Sequence, residues 1–574
     1  MNEQEARNSG TGGDSEERAQ LSRRAFLQNI SGATAAAAVT TAVGLPALGT
    51  TSAAASEDDS DAATGAVRAN RAFRMRHEAA VAERRVPIPD HPTNGDESRY
   101  ANKIGNYAKG LPHNNLGVVD PAAYRSLLHA LHTGEPEDFE RIIVGGNVGL
   151  VDPQAGLAFD LEGTDSHQLA MGPPPALASA EKAGEAVEDY WMALLRDVPF
   201  TNYNSDPLAQ QAAAELSRLT DFRGPKQGGR VTAQTLFRGL TAGDVVGPYA
   251  SQFLLKTFDF GAITVEQKIN TYFPLSAGGA DYMTDAASWL AVQNGQGPFG
   301  FNRVDPTPRH VRSGRDLSAY VHVDVLYEAY LNACIWLLDR GAPFNPGNPY
   351  GSTFFTTKSR TQVGFGTFGG PHVKSLLAEV ATRALKAVWY QKWFVHRHLR
   401  PEEFGGLVHF TKTGAAGYPL HPDVLDSQAV AEVFAHNGTY FLPHAFPEGC
   451  PQHPSYGQGH ATVAGACSTV VKAWFDENFV IPDPVVASED GLSLVPYTGA
   501  DADRITLGGE MNKLAANIGI GRNHAAVHWR SDYADSLPLG EAVAISILRD
   551  QRATYNEDFP GFTFTRFDGT QITV

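Results

Sequence analysis

Residues 453–467 read HPSYGQGHATVAGAC, a stretch that joins a glycine-bearing loop to the start of a helix. His453 and His460 stand seven positions apart, and Gly459 comes directly before the second histidine. The first turn of a helix has unpaired N–H groups and the positive end of the helix dipole, so it can bind an anion. We therefore predict a helix that begins near Gly459, with His460 at its anion-binding end. The alternative is a glycine-bearing helix start with chance histidines.

A cationic segment, QKWFVHRHLRP, lies upstream. Its residues Lys392, His396 and Arg400 follow at four-residue spacing, so one helix would carry them on nearly one face. Pro401 is expected to end this helix and leave Arg400 in its last turn. A solvated cationic stripe is the alternative, but the aromatic residues between 389 and 394 make the segment too apolar for a free surface. Cations held beside such bulk require an anionic partner.

The third segment reads GRNHAAVHWRSD and contributes Arg522 and His528. His524, His528 and Asp532 follow at four-residue spacing, which raises a divalent metal site on one helix face as an alternative. A zinc-protease helix has Glu directly after its first histidine, whereas Ala525 stands here, so that version is excluded. Together the three segments predict a pocket for a tetrahedral oxyanion, vanadate or phosphate, with a neutral His528 nitrogen free to bond its central atom.

The charges favour this interpretation. Lys392, Arg400 and Arg522 supply about three positive charges, and each close pair with an oxyanion is worth on the order of 4 kcal/mol at an effective dielectric constant near 20, before desolvation is subtracted. Each of the two arginines can also donate two parallel hydrogen bonds to a pair of oxyanion oxygens. The whole chain carries a formal net charge of -17, which argues against nucleic acid as a partner and makes the cationic group stand out.

The predicted fold class is mainly α. The 574 residues are ample for a large core, and 42% hydrophobic with 10% aromatic residues indicates a folded protein. Strand-like runs are few, and the last two, 562–567 and 570–574, predict a small C-terminal β-hairpin. Long loops near 135–172, 219–243, 296–314 and 341–370 are expected to wrap the helices or shape a substrate mouth. Helices are predicted near 121–132, 176–198, 207–218, 282–293, 316–340, 371–398, 426–436, 459–477, 508–520 and 534–550.

The N-terminal segment is expected to be a targeting signal that is not part of the folded domain. Adjacent arginines followed by Phe-Leu in SRRAFL match the twin-arginine export signal, and Ala53-Ala54-Ala55 offers a cleavage site. A disordered basic tail and a single membrane anchor are alternatives, but the Ala-rich run at 30–48 is too weak for a stable membrane span. We predict a signal peptide at 1–55, a disordered linker at 56–70 and a helical domain at 71–574, in a protein exported to the periplasm, the cell surface or the outside.

The three cysteines are too few, and odd in number, for a disulfide scaffold. Cys450 and Cys467 could pair in an oxidising compartment. Buried free thiols are the other interpretation, and the sequence leaves both open.

The three segments resemble those of the vanadium-dependent haloperoxidases, which share a fold and active site with the type 2 phosphatidic acid phosphatase and bacterial acid phosphatase superfamily. Features of the bromoperoxidase branch, known from algae and bacteria, are the seven residues between Lys392 and Arg400, where the general motif has six, and His453 seven positions before His460. The contexts PEGCPQHPSYGQGHATVAGAC and NKLAANIGIGRNHAAVHWRSD, with NGDE, KGLPH and GPPPALASAE upstream, are also similar, so the resemblance covers roughly residues 70–574.

By this resemblance the active site lies within 389–532 and the cofactor is vanadate. His528 would coordinate the vanadium, the three cations would balance the charge of the oxyanion, and Gly459 would donate a backbone N–H. His460 would be the acid–base group that helps peroxide replace water on the metal, and His453 would influence halide use. Vanadium(V) acts as a Lewis acid without changing oxidation state.

The implied activity is oxidation of bromide or iodide by hydrogen peroxide to hypohalous acid, which then halogenates small organic acceptors. The implied fold contains two four-helix bundles, and members of this branch are commonly homo-oligomers. A phosphomonoesterase with a His528 phosphohistidine intermediate is an alternative. A non-catalytic oxyanion-binding relative is another.

One departure affects the oxyanion pocket. The common motif has Ser before Gly-His, whereas this chain has Gln458, preceded by Gly457 in place of proline. The amide of Gln458 can donate to the oxyanion as a serine hydroxyl does, but its side chain is longer. Supporting positions are expected at Trp389, at Asp532 and at Asp324, the last as a buried carboxylate behind one arginine or as a helix-surface acid.

Overall fold

The computed structural model describes residues 65–297 and 299–574. The predicted signal peptide and the linker as far as residue 64 lie outside the described residues. Residues 65–70, assigned to that linker, instead form the first turns of a helix, as their alanines and arginine favour. Residues 73–574 form one compact unit. In the described part of the chain, no helix is long and apolar enough to span a bilayer.

The described secondary structure is dominated by helices, which confirms the predicted mainly α class. The α-helices are α1 Gly65–Arg84, α2 Asp96–Arg99, α3 Pro121–Thr133, α4 Pro136–Phe139, α5 Ala180–Leu194, α6 Pro207–Arg218, α7 Ala286–Gln293, α8 Gly314–Val323, α9 Glu328–Asp339, α10 Gly370–Tyr390, α11 Pro401–Lys412, α12 Pro422–Leu425, α13 Gln428–Asn437, α14 Gly459–Trp474, α15 Leu507–His524 and α16 Arg530–Thr554. Single 3₁₀ turns lie at Ala155–Leu157, Ser166–Gln168, Phe200–Asn202, Gln252–Leu254, Leu275–Ala277 and Ala502–Arg504.

The strands are short and pair as antiparallel hairpins: β1 Phe258–Phe260 with β2 Ile263–Val265, β3 Val485–Ala487 with β4 Leu494–Pro496, and β5 Thr563–Thr565 with β6 Gln571–Thr573. The last pair confirms the predicted C-terminal hairpin. The other two were not predicted, because three-residue strands carry too little alternation to stand out. All three cysteines are free and buried, so Cys450 and Cys467 form no disulfide.

Two helical groups make up the core. In the first, α10, α14, α15 and α16 pack together, and α14 contacts the other three. Every residue of α14 except His460 is buried, as expected of a helix that is apolar on all sides. A Cβ at Gly540 would collide with the Thr462 carbonyl, so glycine permits the close crossing of α14 and α16. In the second group, α5 packs against α6, α12 and α13, and it also contacts α15.

The cationic segment differs from the predicted continuous helix. After α10, residues Gln391–His396 form a π-helical turn, and Arg397 then adopts a left-handed backbone conformation with φ of 40°. Arg400 is the N-cap of α11, because Pro401 is suited to the first position of a helix as well as to ending one. His396 and Arg400 therefore do not share a helix face, and that prediction was wrong.

Two other predicted helices are interrupted. The predicted helix at 316–340 is two helices, α8 and α9, separated by residues 324–327. The predicted face of His524, His528 and Asp532 is also wrong, since α15 ends at His524 and α16 begins at Arg530. His528 lies in the connection between them, where its ring is free to turn towards the cationic segment.

Candidate active site

Three basic side chains from separate segments lie in the interior. Lys392 and Arg400 are fully buried, and Arg522 is 6% exposed. Within the described residues they donate to carbonyl oxygens and to histidine, and none of them pairs with a carboxylate. Burial lowers the pKa of each, to about 10 for Arg522, and the charge of Arg400 lowers the pKa of Lys392 and Arg522 further. Buried cations that repel one another and lack a counter-ion mark a site for an anion.

Arg400 joins the three segments. Its Nε donates to the His453 carbonyl at 2.9 Å, and its Nη1 donates to the Val527 carbonyl at 2.6 Å and to His528 Nε2 at 2.9 Å. Its own backbone N–H is capped by the Glu403 carboxylate at 2.7 Å. The guanidinium is thereby fixed against both loops that carry a histidine of the site. The sequence had grouped these loops only because both carry groups suited to binding an anion.

The protonation state of His528 follows from its partners. A guanidinium can only donate, so His528 Nε2 accepts from Arg400, and the ring proton lies on Nδ1. Nδ1 then donates to Asp532 Oδ2 at 2.7 Å. Burial lowers the pKa of His528 well below its ordinary value, and the charges of Arg400, Lys392 and Arg522 lower it further. His528 is therefore a neutral imidazole with an oriented Nε2 lone pair, the form that a metal ligand requires.

Asp532 fixes that orientation. Besides the imidazole, its Oδ2 accepts from the Ser455 hydroxyl and, at 3.0 Å, from the backbone N–H of Trp529. Burial raises the pKa of the Asp532 carboxyl to about 6. Ser455 was missed by the sequence reasoning, although it stands inside the quoted motif, because nothing in the spacing indicates that it faces Asp532.

His460 lies at the second position of α14 and is partly exposed, with 16% of its side chain accessible. Its Nε2 lies 3.0 Å from Asp324 Oδ1. The Asp324 side chain is thus buried, which is one of the two alternatives, but its direct partner is this histidine and not an arginine; its charge acts on Arg522 only through space, raising the pKa of that guanidinium. The His460–Asp324 pair can hold and pass a proton at the open end of the site.

Two residues at the start of α14 have different surroundings. Gln458 directs its amide nitrogen to the Gly519 carbonyl at 3.0 Å, while its side-chain oxygen is buried with no partner. The Gln458 amide nitrogen thus donates to the backbone of α15, and we expected it to donate to the oxyanion. Gly459 follows as the first residue of α14, and a Cβ there would approach the Trp389 ring at 3.1 Å. The glycine therefore lets the start of α14 lie against the Trp389 ring, and the unpaired N–H groups of this helix end can bind an anion.

His453 and Trp389 pack against each other beside the buried cations. Their rings lie 4.7 Å apart, and the Trp389 indole donates to the Val151 carbonyl at 3.2 Å. The Nδ1 of His453 lies 2.9 Å from Arg400 Nη2. Burial lowers the pKa of His453 well below its ordinary value, with Lys392 as the next cause. This histidine is therefore a neutral polar group beside the cations.

The structure does not support the divalent metal alternative. The ring of His524 packs beside Tyr249, with Nε2 3.2 Å from the tyrosine hydroxyl, and not beside His528 and Asp532. Elsewhere in the described residues Glu402, His444 and Cys450 come together, but the Lys109 ammonium binds Glu402 at 3.0 Å and occupies that region. A buried ammonium ion beside these three side chains disfavours a second cation.

Phe446 was also missed by the sequence reasoning. Its ring lies 5.4 Å from the Arg522 guanidinium on one side and stacks on His322 at 3.8 Å. His322 Nε2 in turn lies 2.6 Å from Glu448 Oε1. Phe446 thus connects Arg522 to the His322–Glu448 pair, and no local pattern in the sequence indicates this contact.

The geometry defines a helical-bundle protein in which three buried basic side chains surround a histidine whose Nε2 accepts from one of them. The family model of the VCPO second helical-bundle domain matches residues 376–557, which include every side chain of this site except those of Asp324 and His322.

Relatives with similar sequences cover nearly the whole chain. A vanadium-dependent bromoperoxidase from Corallina officinalis is 38% identical over 85% of this chain and 92% of its own length. One from Ascophyllum nodosum is 36% identical over 90% of this chain and 94% of its own. The solved homohexameric vanadate-dependent bromoperoxidase of Ascophyllum nodosum superposes with a TM-score of 0.83 at 31% identity, covering 92% of this chain and 94% of that one. The chain belongs to the vanadium-dependent haloperoxidase family.

Proposed function

We propose that the protein is a vanadate-dependent haloperoxidase that uses hydrogen peroxide to oxidise bromide and iodide to hypohalous acid. The observation that carries this proposal is the set of three buried cations, without carboxylate partners in the described structure, around a neutral histidine whose Nε2 faces them. The unpartnered Nε of Arg522, which is buried, is a further donor for an anion. The bromoperoxidase relatives support bromide as the substrate.

The donor set fits vanadate. Lys392, Arg400 and Arg522 would compensate its charge, the N–H of Gly459 would donate to one of its oxygens, and His528 Nε2 would bind the vanadium. When bound, vanadate supplies a Lewis acid that polarises peroxide for attack by halide. We assign to this chain's residues the tasks of holding the anion, excluding water and moving protons.

The proton balance assigns a task to His460. Halide, hydrogen peroxide and one proton give hypohalous acid and water, so a proton must enter the site in each cycle. His460 is the partly exposed titratable group at the start of α14, and Asp324 fixes its Nε2. We infer that His460 takes a proton from peroxide on binding and returns it, with one from solvent, to the oxygen that leaves as water.

The test compares two activities of one preparation. The protein is purified without phosphate and loaded with orthovanadate, and bromination by bromide and peroxide is measured beside hydrolysis of a phosphate ester. Vanadate-dependent bromination is expected. Hydrolysis without bromination would instead establish a phosphomonoesterase with His528 as nucleophile, and neither activity would indicate a non-catalytic oxyanion-binding protein. His528→Ala should abolish whichever activity is present.

We also propose twin-arginine export to the periplasm, the cell surface or the outside, supported by the SRRAFL motif and the small residues that follow it. A homo-oligomer is proposed because the similar solved bromoperoxidase is homohexameric. Small organic molecules are the proposed final acceptors of the oxidised halogen. Export is tested by the location of a tagged protein with Arg23 and Arg24 both replaced by lysine, and assembly is tested by light scattering.

A further inference from the structure

A helix from the second helical group holds the stretch of chain that carries His528. α5 presents Lys182, Glu185 and Glu188 at three-residue spacing, and all three are buried, with 0%, 5% and 0% exposure. They face residues 529–531, which connect His528 to Asp532. Buried charges of this number require specific partners, and each finds one in that short stretch.

Lys182 acts on Trp529. Its Nζ lies 4.0 Å from the centroid of the indole ring, the geometry of a cation–π interaction. The same indole donates to the Leu399 carbonyl at 3.0 Å, directly before Arg400, and the Trp529 backbone N–H donates to Asp532 at 3.0 Å. Trp529 therefore contacts, through its ring, the residue before the arginine of the oxyanion site and, through its backbone, the carboxylate that orients His528.

The two glutamates fix the next two residues. Glu185 accepts from Lys182 Nζ at 2.8 Å with one oxygen and from the Ser531 backbone N–H at 2.6 Å with the other. The Glu188 carboxylate accepts from both Nε and Nη2 of Arg530, the first at 2.7 Å. Three successive residues, 529–531, are thus held by three side chains of α5 that stand about one turn apart.

We propose that Lys182 and Glu185 are positioning residues for the oxyanion ligand His528, an inference that rests on the proposed function. α5 lies outside the residues that the family model matches, so this support comes from a different part of the fold. Loss of the side chain bonded directly to a metal ligand, here Asp532, typically weakens binding 10- to 100-fold, so side chains that act through Asp532 should have a smaller effect in the same direction.

The test is the affinity of the full-length apoprotein for orthovanadate, and separately for inorganic phosphate, measured by calorimetry. Lys182→Met keeps the side-chain length and removes the charge, and we expect the Kd for orthovanadate to rise by up to about tenfold, the lower end of the range for a direct partner. Lys182→Arg restores a cation over the indole and should stay within about threefold of the wild type. At saturating vanadate the KM for bromide should not change, since Lys182 does not reach the pocket.

Lys472 offers a matched control. It is 1% exposed, and its Nζ lies 4.1 Å from the Phe567 ring, but its hydrogen bonds go to Asn512 and Thr565, away from the site. Lys472→Met should lower thermal stability without changing the Kd for either anion. An equal rise of Kd in the Lys472 variant, or no rise in the Lys182 variant, would overturn the proposal.

A second variant keeps the test decisive if Lys182→Met does not fold. Glu185→Gln retains an oxygen for the Ser531 N–H but loses the charge that holds Lys182, and a several-fold rise in Kd is expected. An unchanged Kd in this variant would then count against the proposal.

Wild-type protein that binds phosphate but not vanadate would contradict the proposed function alone, because the role of Lys182 is still measured with phosphate. Binding of neither anion by the wild type would contradict both.

Discussion

The Nδ1 of His528 lies 2.7 Å from Oδ2 of Asp532, and this contact sets the imidazole with Nε2 towards the cations. Asp532→Asn replaces the charged acceptor of three hydrogen bonds with a neutral amide, which holds the Nδ1–H tautomer of the ring less firmly. We expect the Kd for orthovanadate, measured by equilibrium dialysis, to rise about 10- to 100-fold. An unchanged Kd would mean that Arg400 alone orients His528.

The pairing of His460 with Asp324 predicts a separation of rate from binding. His460→Ala should lower kcat for bromination by about 10²- to 10⁴-fold, the usual range for loss of a general acid–base group. The Kd for vanadate should change little, because His460 is not among the anion-binding cations. Asp324→Asn should give a smaller loss in the same direction. A large rise in the vanadate Kd of either variant would contradict the assigned role.

Gln458→Ser tests the departure from the common motif. The change removes the 3.0 Å bond to the Gly519 carbonyl, at a cost of about 1 kcal/mol in unfolding free energy. It also removes a buried amide oxygen without a partner and places a hydroxyl beside the start of α14. We expect bromination with saturating vanadate to be retained or increased. Gln458→Ala, which lacks the hydroxyl, is the control, and complete loss in the serine variant would reveal an unassigned role for Gln458.

His396 predicts a pH-dependent contribution to stability. Burial lowers the pKa of its ring to about 3 in the folded protein, against an ordinary value of 6.5. The unfolded chain therefore binds a proton that the folded chain does not, and stability is lost as pH falls from 6.5 towards 3. His396→Phe keeps the ring that packs 4.8 Å from Tyr456 and removes this uptake. Its unfolding free energy should depend on pH less steeply, by about 1.4 kcal/mol per pH unit between pH 6 and 4.

That comparison is made by urea unfolding at each pH, with vanadate and phosphate absent. A variant with the same slope as the wild type would show that the His396 ring becomes charged in the folded state or is not exposed on unfolding.

Much of the site could be predicted from sequence because its cations and histidines are chemically distinctive and stand in short motifs. Lys392, Arg400, Arg522 and His528 were predicted to meet, and the structure brings them together. The backbone between them was predicted less well, since the four-residue spacing of Lys392, His396 and Arg400 fits a continuous helix as well as it fits a π turn followed by a new helix.

The supporting residues were harder to predict for a physical reason. Ser455 and Phe446 act through contacts with residues distant in the chain, and serine and phenylalanine serve equally well in loops and cores. Asp324 was predicted either as a buried carboxylate behind an arginine or as a surface acid; its side chain is buried but bonds His460, because a carboxylate at a helix end can reach either an arginine or a histidine. Such choices are made by tertiary packing and leave no periodic pattern.

The mutual repulsion of Lys392, Arg400 and Arg522 has a consequence for handling the protein. An anion that binds only the folded chain stabilises it by about 2.7 kcal/mol at a hundredfold excess over its Kd. The melting temperature should therefore rise with the concentration of phosphate or vanadate in the buffer. Apoprotein dialysed free of both anions should have the lowest free energy of unfolding. The cofactor therefore stabilises the fold as well as supporting catalysis.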